Sequence, residues 1–334
     1  MMMLLVDSLY INYGGALQLL SYLLDKLKQK NVSFFLLADS RCEGKFDYLH
    51  NIEYLDASYT KRKAFYVNHR TEFSSVLCMG NVPPPIKLDV VAYTYFHNVN
   101  MLTLKDCRDL KQLLLFWLKR TFIKHFKDNS TEWYVQTSNT ANELVHHLGV
   151  SPDIVKLFPF YSLPKYQETY KTRTDYIFVG EYSGSKGHDE LLQAWTLLHQ
   201  EGVDLTLHLT VSQGEHFLHE LDNAISKGVR IINHGFIRSD ELAKLYMCCK
   251  ATVYPSHNES FGLGLVEAME LGCDVITANR PYAYAICQPS VVFNPESPES
   301  IAEAVIEYER GVSPSTVLKV RDMCDEMIER LIAI

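Results

Sequence analysis

The stretch Val253 to Ala278, VYPSHNESFGLGLVEAMELGCDVITA, decides the fold. An apolar run, Ala251–Tyr254, delivers the chain to Pro255-Ser256-His257-Asn258-Glu259. A helix is expected to start near Ser260 to Gly262, and Val275–Ala278 reads as the next strand. Strand, loop, helix and strand in that order form a βαβ unit, which implies a parallel sheet faced by helices.

The same alternation extends outward in both directions. Strands are expected at Met3–Val6, Ser33–Leu37, Ser75–Met79, Val90–Phe96 and Trp133–Thr137, with helices at Ala16–Lys30, Lys105–His125 and Thr140–Leu148. Further strands are expected at Tyr176–Val179, Leu205–Val211, Val229–Asn233 and Val291–Phe293. A chain of 334 residues exceeds one ordinary core. The segment LFPFYSLPKYQETYKTRT, with two prolines and little periodicity, is the expected linker, with the break near Pro164 to Thr174. The expectation is therefore α/β, two Rossmann-like domains facing each other across a cleft. Residues 1–165 would form the first domain and 166–334 the second, with a last helix over 315–334 packing back on the first.

Net charge is −8 and unevenly placed. Residues 1–165 carry 19 Lys and Arg against 15 Asp and Glu, a balance of +4, and the remainder 13 against 25, a balance of −12. An acidic chain argues against non-specific nucleic-acid binding. Eight scattered cysteines with no C-x-x-C fit a reduced, intracellular chain without a zinc framework. The start, MMMLLVDSLYI, reads as a first strand rather than a signal peptide, so a cytoplasmic location is expected.

Ligands of open α/β sheets bind beyond the carboxyl ends of the strands, so chemistry is expected in the loops there. Gly14-Gly15 follow the first strand and open a helix, which suits close backbone approach to an anion or a plain tight turn. The loop GEYSGSKG, from Gly180, carries Lys186, placed either to reach a phosphate or to be solvated at a helix start. Glu259 and Glu267 lie eight residues apart, about 12 Å along a helix axis. That span resembles the two ends of a nucleotide sugar, although two ordinary helix glutamates would show the same spacing. His97-Asn98 follow a strongly apolar strand; a histidine there can bond a sugar hydroxyl, share a proton or be structural. In LLLFWLKRTFIKHFKDN, Leu114, Trp117, Leu118, Phe122 and Phe126 recur near helical spacing beside Lys119, Arg120, Lys124 and Lys127. This fits a helix lying on an anionic membrane surface, or one facing the core with a solvated side.

Glu259-x7-Glu267 after VYPS, followed by EAMELGCDVITA, resembles the signature of glycosyltransferase family 4, retaining enzymes of the GT-B fold. The loop ending at Lys186, the stretch NHGFIRSDELAKLY and the Gly-Gly loop fall in the family's order. The resemblance implies that Glu259 contacts the donor sugar, with Ser260, Phe261, Gly262 and Leu263 near sugar and phosphate. It implies that Glu267 binds ribose, Lys186 stabilises the leaving diphosphate, Gly180 and Gly15 line the site, and the base packs near Phe236 and Ile237. It places His97 near the transferred sugar and the acceptor, and it implies no catalytic metal and no cofactor beyond a nucleotide-diphosphate sugar as donor.

Two positions depart from the family's pattern. Glu181 stands where the family often has an arginine, with Arg238 and Arg280 as candidate replacements, and Asn98 stands where an aspartate is usual. Three readings follow. The first is a retaining glycosyltransferase moving a hexose to a glycan or lipid-linked acceptor, in surface polysaccharide synthesis at the inner face of a membrane. The second is a non-catalytic nucleotide-sugar-binding protein of the same fold. The third is a sugar-nucleotide epimerase.

Overall fold

The computed structural model describes residues 3–103, 110–163 and 173–333. The first part of the helix expected from Lys105 and half of the expected linker, residues 164–172, lie outside these. Contacts divide the chain into two units, Met1–Ser162 with Arg321–Ile334, and Leu163–Val320.

In the first unit the strands are β1 (Leu4–Asp7), β2 (Phe34–Asp39), β3 (Ile52–Leu55), β4 (Ser75–Cys78), β5 (Val91–Phe96), β6 (Glu132–Val135) and β7 (Val155–Leu157). All pair in parallel, in the order β3-β2-β1-β4-β5-β6-β7. The helices are α1 (Gly14–Gln29), α2 (Tyr59–Asn68), α3 (Asn100–Thr103), α4 (Leu110–Phe126) and α5 (Ser138–Leu148). Side chains alternate across a strand, so Leu4, Val6, Leu36 and Leu77 enter one core while Leu5, Leu37, Val76 and Cys78 enter another. Helix α1 buries Leu19, Leu20, Leu23, Leu24 and Leu27, a single apolar stripe, against the first of these cores.

In the second unit the strands are β8 (Asp175–Phe178), β9 (Leu207–Leu209), β10 (Ile231–Asn233), β11 (Cys249–Tyr254), β12 (Asp274–Ala278), β13 (Cys287–Gln288), β14 (Val291–Phe293) and β15 (Val317–Leu318). Six form a parallel sheet in the order β10-β9-β8-β11-β12-β14, while β13 and β15 pair antiparallel. The helices are α6 (His188–Gln200), α7 (Glu215–Ser226), α8 (Ser239–Cys248), α9 (Leu263–Glu270), α10 (Pro281–Ile286) and α11 (Pro298–Glu309). The last helix, α12 (Cys324–Ile332), starts later than the expected residue 315 because 317–318 pair as a strand. Its Met327, Ile328 and Leu331 complete the core under α1 in the first unit.

The expected strands are present. The sequence reading missed β3, α2 and β7, whose residues are short, half-exposed or mixed with polar groups. In each large sheet the chain order reverses once, at β1/β4 and at β8/β11. Such a switch point parts the loops above the two strands and leaves room for a ligand. The Gly14-Gly15 loop follows β1, the Lys186 loop follows β8, and the Glu259 loop follows β11.

Candidate functional site

The loops after β8 and β11 are laced together. Ser185 O accepts the backbone N–H of His257 at 2.8 Å. Gly187 takes a left-handed conformation (φ +70°), and a Cβ there would lie 2.5 Å from Pro255 O, so only glycine fits both the turn and the approach. Lys186 is thereby delivered to Glu259, with Nζ 2.6 Å from Oε1. The same oxygen accepts the Tyr254 hydroxyl at 3.0 Å. The ammonium stands 5.8 Å from the centroid of the Tyr254 ring, and Gly180 flanks the lysine's methylenes.

Tyr254 was read only as the end of a strand, yet it organises the site. Its side chain is buried, and burial, then the charge of Glu259, pushes its phenol well above the ordinary range; Glu267 acts in the same direction. Tyr246 is raised by burial and then by Glu267. The two glutamates thus border the same buried tyrosine. Glu267 is only 5% exposed on α9, a depth at which a carboxylate has to be hydrogen-bonded. Helix α9 begins at Leu263, so Glu259 lies in the loop, not on the helix, and the expected helix rise of about 12 Å does not measure its separation from Glu267.

Ser260 is half-buried, Phe261 and Gly262 are buried, and Leu263 opens α9. Phe236 is 82% exposed and Ile237 half-buried, on the loop after β10; β9 separates that strand from β8. Glu181 accepts the backbone N–H and the hydroxyl of Ser212, which explains a carboxylate at that position. Neither expected replacement cation is idle. Arg280 pairs with Glu296, and Arg238, 3.1 Å from Asp240, is exposed. His188, also missed, is buried beneath the loop with Nε2 3.2 Å from Gly180 O, and burial lowers its pKa to about 4.

Gly14, Gly15 and His97 belong to the first unit, at the carboxyl ends of β1 and β5. Gly14 and Gly15 open α1, and a Cβ at either would meet nothing within 4 Å. His97 is half-buried and held by Asn81, and burial lowers its pKa to about 4.

Helix α4 divides along its length. Phe122 and Phe126 pack against Tyr59 and Ile123 is buried. Leu114, Trp117 and Leu118 are each about half exposed among the described residues, beside exposed Lys111 and Lys119. The Phe122–Phe126 end thus faces the core, as one of the two readings expects, and the Leu114–Leu118 end is exposed. Among the described residues no helix is long and apolar enough to cross a membrane, and no group of three His, Cys, Asp or Glu is arranged to hold a metal ion.

The family model described as "Glycosyl transferases group 1" matches residues 163–325. The chain is 31% identical over 147 residues to the serotype-specific mannosyltransferase WbdA of Escherichia coli, covering 42% of this chain and 18% of that protein. It thus spans less than a fifth of that relative's length. Among solved structures, sucrose-phosphate synthase from Thermosynechococcus elongatus superposes with a TM-score of 0.72 at 15% identity, over 93% of this chain and 90% of that one. WaaG, described as a glycosyltransferase involved in lipopolysaccharide biosynthesis, gives 0.69 at 15% identity over 100% of both chains. At such identities the likeness is one of fold, and it extends over both units.

Proposed function

We propose that the protein transfers a hexose from a nucleotide-diphosphate sugar to a glycan or lipid-linked acceptor, with retention and without a catalytic metal, a reading supported by the match of residues 163–325 to the glycosyl transferases group 1 model. The Lys186–Glu259–Tyr254 cluster at the β8/β11 switch point carries this reading. As the glycosidic C–O bond breaks, negative charge gathers on the leaving diphosphate. Lys186 is the cation for that charge, supported by the amino end of α9, and a preorganised charge of this kind usually supplies the largest share of such catalysis. The diphosphate would compete with Glu259 for the ammonium and release that carboxylate to bind sugar hydroxyls. Glu267 would take the ribose hydroxyls, exchanging buried partners for two donors. Phe236, exposed on its loop, offers a face to the base.

Surface polysaccharide synthesis is favoured by the description of WaaG, a glycosyltransferase involved in lipopolysaccharide biosynthesis. The exposed apolar end of α4, set among lysines, favours contact with an anionic membrane at its cytoplasmic side. Flotation with anionic vesicles tests this; binding that survives Trp117→Glu would remove α4 from the contact.

A thermal-shift screen against UDP-, GDP-, ADP- and TDP-sugars tests the main reading. One class is expected to stabilise the protein, Glu267→Ala to lose that stabilisation, and acceptor to trigger release of nucleoside diphosphate. Stabilisation without release, across acceptors, would favour the non-catalytic binding protein, and epimerised free donor would favour an epimerase. No stabilisation by any donor would defeat all three.

A further inference from the structure

We propose that Asn81 is a positioning residue, which holds His97 as a neutral imidazole protonated on Nδ1 and so makes it a hydrogen-bond donor rather than a base. Asn81 follows β4, on the other side of the first sheet's switch point from β1. It has a left-handed backbone (φ 65°), rare for a side-chain-bearing residue, and is 6% exposed. The turn that holds it is fixed just before Asn81. Met79 N donates to Asp7 O at 2.8 Å, and a Cβ on Gly80 would sit 2.1 Å from Leu9 O.

From this turn the amide grips His97 twice. Asn81 Oδ1 accepts the His97 backbone N–H at 2.6 Å, and Nδ2 lies 2.9 Å from His97 Nε2. The first bond settles the second. A backbone N–H can only donate, so the amide atom facing it is the oxygen, and the atom facing the ring is the NH2 group. An NH2 group only donates, so Nε2 must present its lone pair. In a neutral ring the hydrogen is then on Nδ1. Protonating Nε2 would set two donors against each other, and burial already disfavours the charged ring. Nδ1–H is left to donate to a ligand oxygen. That last role rests on the glycosyl-transfer reading; the tautomer does not.

Long-range proton–nitrogen spectra of the full-length chain labelled with 15N-histidine test the proposal near neutral pH. His97 is assigned by the signals lost in His97→Gln. The expected wild-type pattern is an unprotonated Nε2 and a protonated Nδ1. Asn81→Asp presents acceptors to both positions, so the tautomer is expected to invert and the ring to titrate at higher pH. A wild-type His97 protonated on Nε2, or on both nitrogens, would overturn the proposal without reference to any variant's folding. An unchanged tautomer in folded Asn81→Asp would also overturn it. A protein that shows the Nδ1–H pattern but binds no nucleotide sugar would contradict the functional reading alone.

Discussion

Asp7 with Arg62 in the first unit and Glu259 with Lys186 in the second each join a carboxylate to a cation above the carboxyl ends of a parallel sheet. Arg62 and Asp7 are 2% and 1% exposed. The Arg62 guanidinium donates to Asp7 and to the carbonyls of Pro83 and Val82, and the Tyr66 hydroxyl also donates to Asp7. The Lys186 and Glu259 side chains keep 26% and 14% of their surface open to solvent. A sealed pair of charges fixes its surroundings and cannot be traded. An open pair can exchange one partner for a ligand, and this is why the second is assigned to the site and the first to the scaffold.

The sharpest way to break this contrast is to remove the cation from each pair. Arg62→Met leaves the buried Asp7 carboxylate without its cation, held only by the neutral donors Tyr66 hydroxyl and Leu9 N–H. A loss of about 3–5 kcal/mol of stability is expected, read in urea or thermal unfolding of the first unit's signal. A loss below about 1 kcal/mol, the range of solvent-exposed pairs, would mean that the Asp7 site is wetter than its burial implies.

Lys186→Ala is expected to act the other way round. It should change stability by no more than about 1 kcal/mol, the usual worth of a solvent-accessible pair. Turnover with the donor found by screening should fall about 100- to 1000-fold, as when one charge-stabilising donor is deleted from a reacting site. If stability and turnover changed in the reverse proportion, Lys186 would be a structural residue like Arg62.

The same contrast explains what the sequence could disclose. Lys186 and Glu259 stand in glycine-rich loops directly after strongly apolar strands, so local pattern alone placed them above the sheet. Asp7 and Arg62 are 55 residues apart, and Arg62 lies on a helix whose pattern was too polar to be read. Asn81 acts on His97 across 16 residues from a backbone conformation that its own side chain does not announce. Tyr254 was visible as the last residue of a strand, but the direction of its hydroxyl depends on the path of the Glu259 loop. The parallel architecture was legible because strands buried on both faces read as continuous apolar runs. The edge strands β3 and β7, half-exposed, did not.

A smaller effect separates the two glycine loops. Gly14 and Gly187 have nearly the same left-handed φ, +66° and +70°. Putting alanine at either forces a Cβ into that conformation, at about 1–2 kcal/mol. At Gly14 nothing else opposes the added atom, whereas at Gly187 it meets the Pro255 carbonyl oxygen at 2.5 Å, and that backbone is held by its neighbours. Gly187→Ala should therefore destabilise more than Gly14→Ala. Because relief of the clash moves the Pro255–Glu259 loop, it should also weaken donor stabilisation in the thermal-shift assay, while Gly14→Ala leaves a site confined to the second unit intact. Equal unfolding shifts for the two variants would show that the Pro255 loop yields freely. Loss of donor stabilisation in Gly14→Ala would instead show that the α1 end contributes directly to nucleotide-sugar binding, and that the open pair at Lys186 is only part of the site.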